Sequence, residues 1–323
     1  MPDPPPSKRR TRATQQSASG SPPIAAAQSP PPAPAPTPTP ATTAAAASVP
    51  AAAVQYAELH CRTNYSFQEG ASHADELAAR AKELGYTALS VTDRNSLAGV
   101  VRAHVAAKEA GLRLLVGAEI IPEDGPAMVL LAMDRPGYGR LSRLITTGRR
   151  RSEKGACRIL LQDVAEASAG LLCGVPLSRE TQLRYRREYQ PRADMDVPDN
   201  DLLRLQRIFG DRCYALAELH HGPLDSVRLQ RWLGRCSQLG IPVAAANDVH
   251  FHIPRRRPLQ EVLTAIRCGV PLQGLGHELF PNGERYLKSI PQLQGLFRGH
   301  RELLDRTVEA AARCPFSLDE LRY

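Results

Sequence analysis

Five ionisable side chains, each at the end of a predicted strand, are the strongest candidates for chemistry in this sequence. They are His60, Asp93, Glu119, Asp248 and His250. Imidazole nitrogens and carboxylate oxygens are suitable ligands for Zn, Mn or Fe. A cluster of two or three such metals can polarise a phosphate and lower the pKa of a bound water, so these residue types predict phosphoester hydrolysis. Asp248 and His250 are two apart on an extended segment, so both can reach one metal.

Each of these residues also has an ordinary structural role open to it. A histidine at a strand end is often a hydrogen-bonded surface group, Asp93 could cap the helix that follows it, and Glu119 could pair with an arginine. The sequence has no glycine-rich phosphate loop, no G-x-S-x-G elbow and no pattern typical of a nucleophilic triad. The metal interpretation therefore depends on whether the strand ends meet.

The elements that would bring them together alternate between strands and helices. Strands are predicted at 54–60, 87–91, 114–119, 127–133, 170–172, 213–219 and 243–246. Helices are predicted at 72–84 with Ser72 as N-cap, and at 97–110, 137–146, 201–209, 225–239 and 258–313, the last interrupted by a loop at 274–284. This alternation is typical of a parallel α/β fold, either a closed barrel or an open doubly wound sheet. In both architectures active sites lie at the carboxyl ends of the strands.

Composition separates the first 53 residues from the rest. Residues 1–53 are rich in proline and alanine, with a basic cluster at Lys8–Arg10, and cannot bury enough apolar surface to offset their ordering entropy. They are predicted to be a disordered arm. The net charge of +8 would favour a polyanionic partner, or it reflects only a solvated basic surface. Seven scattered cysteines without a CxxC pair, and the absence of a long apolar run, predict a cytoplasmic protein with no membrane partner.

Several segments resemble motifs of PHP domains, the metal-dependent phosphoesterase-type domains that begin bacterial C-family DNA polymerases. The segments are Tyr56–Phe67, Thr92–Gly99, Val116–Glu119 and Asn247–His252. The runs Arg149–Arg151, Arg255–Gln260, Pro281–Lys288 and Phe316–Tyr323 are similar to the error-prone branch of that family. The resemblance runs from residue 54 to the end. It implies a distorted (β/α)7 barrel at 54–270 and a helical linker at 271–323 that leads toward the polymerase body.

Two positions depart from the active PHP pattern. The motif His-x-His is His60-Cys61-Arg62 here, and the motif Asp-His is Asp93-Arg94. A guanidinium has no lone pair for a metal, so Arg62 and Arg94 are expected to form ion pairs in the former site. Glu69 stands where the family often has a metal-binding aspartate. The resemblance implies a residual ligand set that holds Zn or Mn weakly or not at all: His60, Glu69, Asp93, Glu119, Asp248 and His250.

These features predict a structural PHP domain of an error-prone, damage-induced translesion DNA polymerase. The chain stops at Tyr323, about where the family passes into the polymerase body, so no palm carboxylate can be assigned. The resemblance implies as partners the remainder of the polymerase, DNA through it, and accessory mutagenesis proteins. Two alternatives remain open: a stand-alone phosphoesterase or 3′–5′ exonuclease, and a nucleic-acid-binding module that uses the basic arm and Arg149–Arg151.

Overall fold

The computed structural model describes residues 53–178 and 196–321, and the predicted arm at 1–53 lies outside these ranges except for its last residue. Within them, the strands are β1 (Ala57–Glu58), β2 (Ala88–Val91), β3 (Arg113–Ile120), β4 (Met128–Ala132), β5 (Leu171–Pro176), β6 (Cys213–Glu218) and β7 (Val243–Ala246). The helices are α1 (Ala74–Glu83), α2 (Val100–Ala110), α3 (Arg135–Arg150), α4 (Leu161–Ala167), α5 (Asp199–Phe209), α6 (Asp225–Leu239), α7 (Arg257–Cys268), α8 (Ile290–Leu296) and α9 (Arg301–Ala312).

The strands form a single sheet in sequence order, and it is parallel, as the alternation of strands and helices predicts, except at one strand. Strand β4 is antiparallel to both of its neighbours, β3 and β5, whereas the other pairs are parallel. The reason is the connection at 121–127. Parallel neighbours require a crossover of a dozen or more residues, and this connection is too short for one. Strand β4 therefore folds back on β3 as a hairpin.

The sheet closes on itself at the carboxyl ends of β1 and β7. Cys61 forms a parallel bridge with Val249. The Arg62 amide donates to the Val249 carbonyl at 2.9 Å, and the Val249 amide donates to the His60 carbonyl at 2.9 Å. These hydrogen bonds confirm the predicted distorted seven-stranded barrel, and they place the segments that carry the candidate residues side by side.

At the amino ends of β1 and β7, helix α9 fills the gap between the two strands. The Thr307 hydroxyl accepts a hydrogen bond from the Ala57 amide at 3.0 Å, and Arg306 donates to the Val243 carbonyl at 2.5 Å. The helix buries Leu303 and Leu304 in the core. The Ala57 amide and the Val243 carbonyl, which lie on unpaired strand edges, thus find their hydrogen-bond partners in side chains of a helix that is distant in sequence.

The core has two apolar layers. Residues of alternate strand positions, including Leu59, Leu115, Leu131 and Leu216, pack together with the alanines of β7 and α9. Most of the remaining strand positions pack against the surrounding helices in a larger cluster that includes Trp232, and a few, such as Val91 and Val116, pack in a smaller one beside α1 and α2. None of the helices in the two described ranges is long and apolar enough to cross a membrane.

Helix α1 begins one residue later than predicted. Its N-cap is His73 rather than Ser72, and the His73 amide donates to the Glu76 carboxylate at 2.9 Å. The Ser72 hydroxyl is instead 2.7 Å from His252 Nδ1 and accepts from the His252 amide at 3.0 Å. A tertiary contact with the segment after β7 has replaced the local cap.

Replacing Thr307 with valine should lower the free energy of unfolding by about 1–3 kcal/mol, because the buried Ala57 amide would lose its acceptor. Urea unfolding followed by circular dichroism measures this. The matched control is Thr146→Val, which removes an exposed hydroxyl that bonds only its own helix, at the Ser142 carbonyl, and should change stability by less than about 0.5 kcal/mol. Equal effects of the two substitutions would show that α9 does not close the barrel.

Candidate functional site

The candidate residues lie at the closed end of the barrel. His60 and Asp93 follow β1 and β2, Glu119 lies near the end of β3, and Asp248 and His250 follow β7. All five are buried. Asp248 has a positive φ of 44°, a conformation that non-glycine residues rarely adopt and that occurs here where the chain leaves the sheet. The predicted convergence of strand ends is present in the structure.

Arg62 lies at the centre of this group and is completely buried. Its Nη2 is 2.7 Å from Glu119 Oε1, and its Nη1 contacts the Asp248 carboxylate. The same Nη1 lies 2.7 Å from His250 Nε2. Because a guanidinium carries only donors, His250 Nε2 must accept this hydrogen bond. The guanidinium therefore occupies the space in front of three candidate ligands.

The charge of Arg62 determines how its neighbours titrate. Burial opposes the ionisation of Glu119 and Asp248, but Arg62 together with neighbouring groups, His60 among them, outweighs burial and lowers the pKa of both carboxyls, that of Asp248 well below its usual range. Burial lowers the pKa of His250 to about 4, with a further contribution from Arg62 against the opposing effect of Asp248. At neutral pH the site thus holds two carboxylates, a neutral imidazole and a permanent cation.

Arg94, the second arginine at a ligand position, pairs with Glu69. Its Nη1 lies 2.5 Å from Glu69 Oε1, and Arg62 Nε lies 3.8 Å from the other Glu69 oxygen. Burial still raises the pKa of Glu69. Both substituted positions therefore supply guanidinium groups to carboxylates of the candidate set: Arg62 pairs with Glu119 and Asp248, two of the partners expected, whereas Arg94 pairs with Glu69 instead of Asp93, Glu119 or Asp248.

Asp93 has a different role from the other carboxylates. It accepts hydrogen bonds from the Thr63 amide, the Thr63 hydroxyl and the Ser66 hydroxyl, each at 2.8 Å. A Cβ at Gly99 would lie 2.5 Å from Asp93 Oδ2, so the close approach of the next loop requires glycine. Asp93 thus holds the loop after β1 against the segment after β2.

Three residues of the site were not predicted: Glu218, Arg285 and Glu58. Glu218 Oε1 is 2.7 Å from His60 Nδ1. Burial lowers the pKa of His60, but the Glu218 and Asp248 carboxylates together outweigh it and raise that pKa. Arg285 Nε lies 3.1 Å from Asp248 Oδ2, so that carboxylate lies between two arginines. Glu218 is the last residue of β6, and the strand-end rule used for the others could have found it.

Glu58 is a buried carboxyl beneath His60. It accepts hydrogen bonds from the Tyr56 hydroxyl at 2.9 Å, the His60 amide at 3.0 Å and the Asn247 amide at 3.1 Å. Burial outweighs these donors and raises its pKa from 4.5 to about 7. The group therefore changes charge near neutral pH in the folded protein.

The titration of Glu58 should make the protein less stable relative to a Glu58→Gln variant as pH rises. Because the folded-state pKa is raised, the stabilising contribution is fully present below pH 4.5 and is lost as pH rises through about 7. Wild type should lose about 3 kcal/mol relative to the variant across this window. Urea unfolding of both proteins from pH 4.5 to 8 measures the difference. A difference that is flat or grows in favour of wild type would contradict the burial of an ionisable Glu58.

Comparison with known proteins gives the family. Residues 58–218 match the family model described as the PHP domain, and the chain belongs to the PHP domain family. An error-prone DNA polymerase of Pseudomonas fluorescens is 46% identical over 274 residues, which are 83% of this chain and 24% of that protein. An error-prone DNA polymerase of Methylococcus capsulatus is 47% identical over 274 residues, 84% of this chain and 24% of that protein. The chain thus spans about a quarter of the length of these relatives.

One solved structure that matches this chain comes from Bifidobacterium adolescentis, and its name describes a metal-dependent phosphoesterase. It is 18% identical with a TM-score of 0.46, and the match covers 76% of this chain and 96% of that chain.

Proposed function

We propose that this chain is the amino-terminal PHP region of a bacterial error-prone DNA polymerase and that it acts there as a structural domain. The observation that carries the proposal is the buried Arg62 guanidinium, which bonds Glu119, Asp248 and His250 where a metal would need those ligands. The wider role proposed is damage-induced translesion synthesis and DNA repair in the cytoplasm. The catalytic carboxylates of DNA synthesis would be supplied by another part of the polymerase.

The residues present do not fit the Zn or Mn cluster that the family resemblance implies. His60 Nε2 and Glu119 Oε2 are buried without a hydrogen-bond partner among the described residues, so two ligand atoms remain. However, the other Glu119 oxygen is 2.7 Å from Arg62. A divalent cation held by these atoms would therefore lie beside a permanent positive charge in a buried site, where repulsion is strong. The described residues contain no group of three or more histidine, cysteine or carboxylate side chains arranged to hold a metal.

The same geometry argues against the stand-alone phosphoesterase. Such an enzyme needs a metal-activated water, and each of Arg62 and Arg94 bonds a carboxylate that would have to bind the metal. A nucleic-acid interface at Arg149–Arg151 has little support as well. Arg151 is paired with Asp163, and Arg149 donates to the Asn95 carbonyl at 3.1 Å.

Metal analysis with an activity assay tests the structural role. Protein purified without chelator from medium supplemented with Zn and Mn should contain far less than one metal ion per chain by mass spectrometry. It should not hydrolyse a nitrophenyl phosphodiester or the 3′ end of single-stranded DNA. Stoichiometric metal together with hydrolysis that a chelator abolishes would overturn the structural role in favour of a phosphoesterase.

The proposed partners are the remainder of the polymerase, DNA through it, and accessory mutagenesis proteins. Support for the first comes from the relatives, in which the matched segment is continuous with a much longer chain. The other two partners depend on the family resemblance.

A further inference from the structure

Helix α7 has its apolar side turned away from the protein. The two residues that it buries, Gln260 and Thr264, are polar. The two residues hydrogen-bond each other. The Gln260 side-chain amide donates to the Thr264 hydroxyl at 3.1 Å, and that hydroxyl donates to the Gln260 main-chain carbonyl at 2.9 Å. A helix on the surface of a globular domain normally buries its apolar face and exposes its polar one. The orientation of α7 is the reverse.

The exposed side of α7 carries a continuous apolar stripe. Leu259, Val262 and Ile266 are spaced three and four residues apart, so they share one face, and Val270 and Leu272 extend it beyond the helix. Ile266 is 59% exposed and Val262 is 40% exposed. We call these five residues the α7 surface. Single exposed apolar residues are common, but a contiguous group on one helix face marks an interaction site.

The borders of the α7 surface are predominantly basic. Arg255 is exposed next to the helix, Arg257 pairs with Glu261 at 2.7 Å within it, and Arg267 lies on its last turn. Glu261 is thus outnumbered by arginines. The partner's matching surface would be apolar at its centre and acidic at its edge, because electrostatic potentials of opposite sign favour association in the correct orientation.

We propose that the α7 surface is the docking site for the part of the error-prone polymerase that lies outside the PHP region. This inference rests on the proposed function. In the matched relatives the homologous segment is 24% of the protein. About three-quarters of each polypeptide therefore lies outside this segment and can pack against it. A second copy of this chain is a poorer occupant. In a two-fold dimer the same patch faces itself, and the arginine borders would repel each other.

Two double variants provide a matched comparison. Val262→Glu with Ile266→Glu places two charges on the α7 surface, four residues apart. Val101→Glu with Val105→Glu does the same on α2, where these valines are 62% and 51% exposed. In the isolated chain both variants should melt within about 2 °C of wild type, because exposed positions tolerate charge. A loss of more than about 5 °C confined to the α7 variant would show that another part of this chain covers the surface, and would overturn the proposal.

Binding in trans is the main test. The probe is the Methylococcus capsulatus polymerase lacking the 274-residue segment that matches this chain. As a positive control, the probe must first bind that relative's own segment, added as a separate polypeptide. By calorimetry, wild type should bind the probe, the α7 variant should bind at least tenfold more weakly, and the α2 variant should bind within twofold of wild type. A central pair of buried apolar residues commonly has an effect of this size when charged.

The outcomes separate the two proposals. Wild-type binding that the α7 variant retains, or that the α2 variant loses equally, would overturn the docking site and leave the polymerase assignment intact. No binding by wild type would count against both. Sedimentation equilibrium gives the remaining outcome: a wild-type dimer that Val262→Glu with Ile266→Glu dissociates would assign the α7 surface to a second copy and overturn the proposal.

Discussion

Replacing Arg62 with methionine should lower the free energy of unfolding by about 3–5 kcal/mol, although methionine has a comparable shape and lacks the cost of burying a charge. The reason is that Glu119 would remain buried without the arginine that faces it, and Asp248 would keep only one of its two arginine partners, Arg285. Removing one member of a buried ionic group leaves the desolvation of its partners uncompensated. Urea unfolding at pH 7 measures the loss.

Arg80→Met is the control for this prediction. Arg80 pairs with Glu83 at 3.0 Å on the exposed side of α1, and such pairs contribute less than about 1 kcal/mol. The loss for Arg62→Met should also shrink at acidic pH, since protonation of the buried carboxyls that faced Arg62 removes their charge. A loss comparable with that of Arg80→Met would show that Arg62 does not neutralise the former metal site.

Restoring histidine at both substituted positions should create metal-dependent stability. Arg62→His with Arg94→His replaces two buried or half-buried guanidiniums by imidazoles, and position 62 then forms a His-x-His pair with His60. The double variant should be less stable than wild type without metal, and Mn²⁺ or Zn²⁺ at a hundredfold excess over its Kd should stabilise it by about 3 kcal/mol. Thermal melts with and without metal measure this.

Wild type should show no metal-dependent shift in melting temperature. The matched control, Arg80→His with Arg158→His, adds two imidazoles at positions whose arginines form surface pairs with Glu83 and Glu123, and it should behave as wild type. If wild type and the double variant were stabilised equally by metal, Arg62 and Arg94 would not be the reason that the site lacks a metal cluster.

Much of the fold follows from local patterns in the sequence. Strand β7 occupies 243–246, as predicted from its buried run, and helix α6 has the predicted bounds at Asp225–Leu239 because Gly240 ends it in a left-handed conformation. The orientation of β4 does not follow from its own residues. A short buried run has the same apolar pattern in parallel and antiparallel sheets. The informative signal was the length of the connection before it.

The candidate site was predictable only in part. The residues at strand ends and the two arginines are visible in the sequence because they occupy motif positions. Arg285 lies within the motif run Pro281–Lys288, but that run gives no sign of a site role, because Arg285 is in a loop after α7 and reaches Asp248 only through tertiary packing. The prediction of Ser72 as the N-cap of α1 was wrong for a similar reason: Ser72 is a good local cap, but its hydroxyl contacts His252. Side-chain choices between a local and a distant partner are decided by the assembled fold.

The helix that seals the barrel also sets the order in which the chain can fold. The hydrogen bond between Thr307 and Ala57 joins residues 250 positions apart, and contacts of such separation form late because the loop-closure entropy is paid before they contribute. During synthesis, strands β1 to β7 emerge from the ribosome before α9 does. Until Ala312 has left the exit tunnel, the amino-terminal edges of β1 and β7 stay unsealed. Unpaired strand edges of this kind favour aggregation, so we expect the nascent chain to be vulnerable to it over this interval.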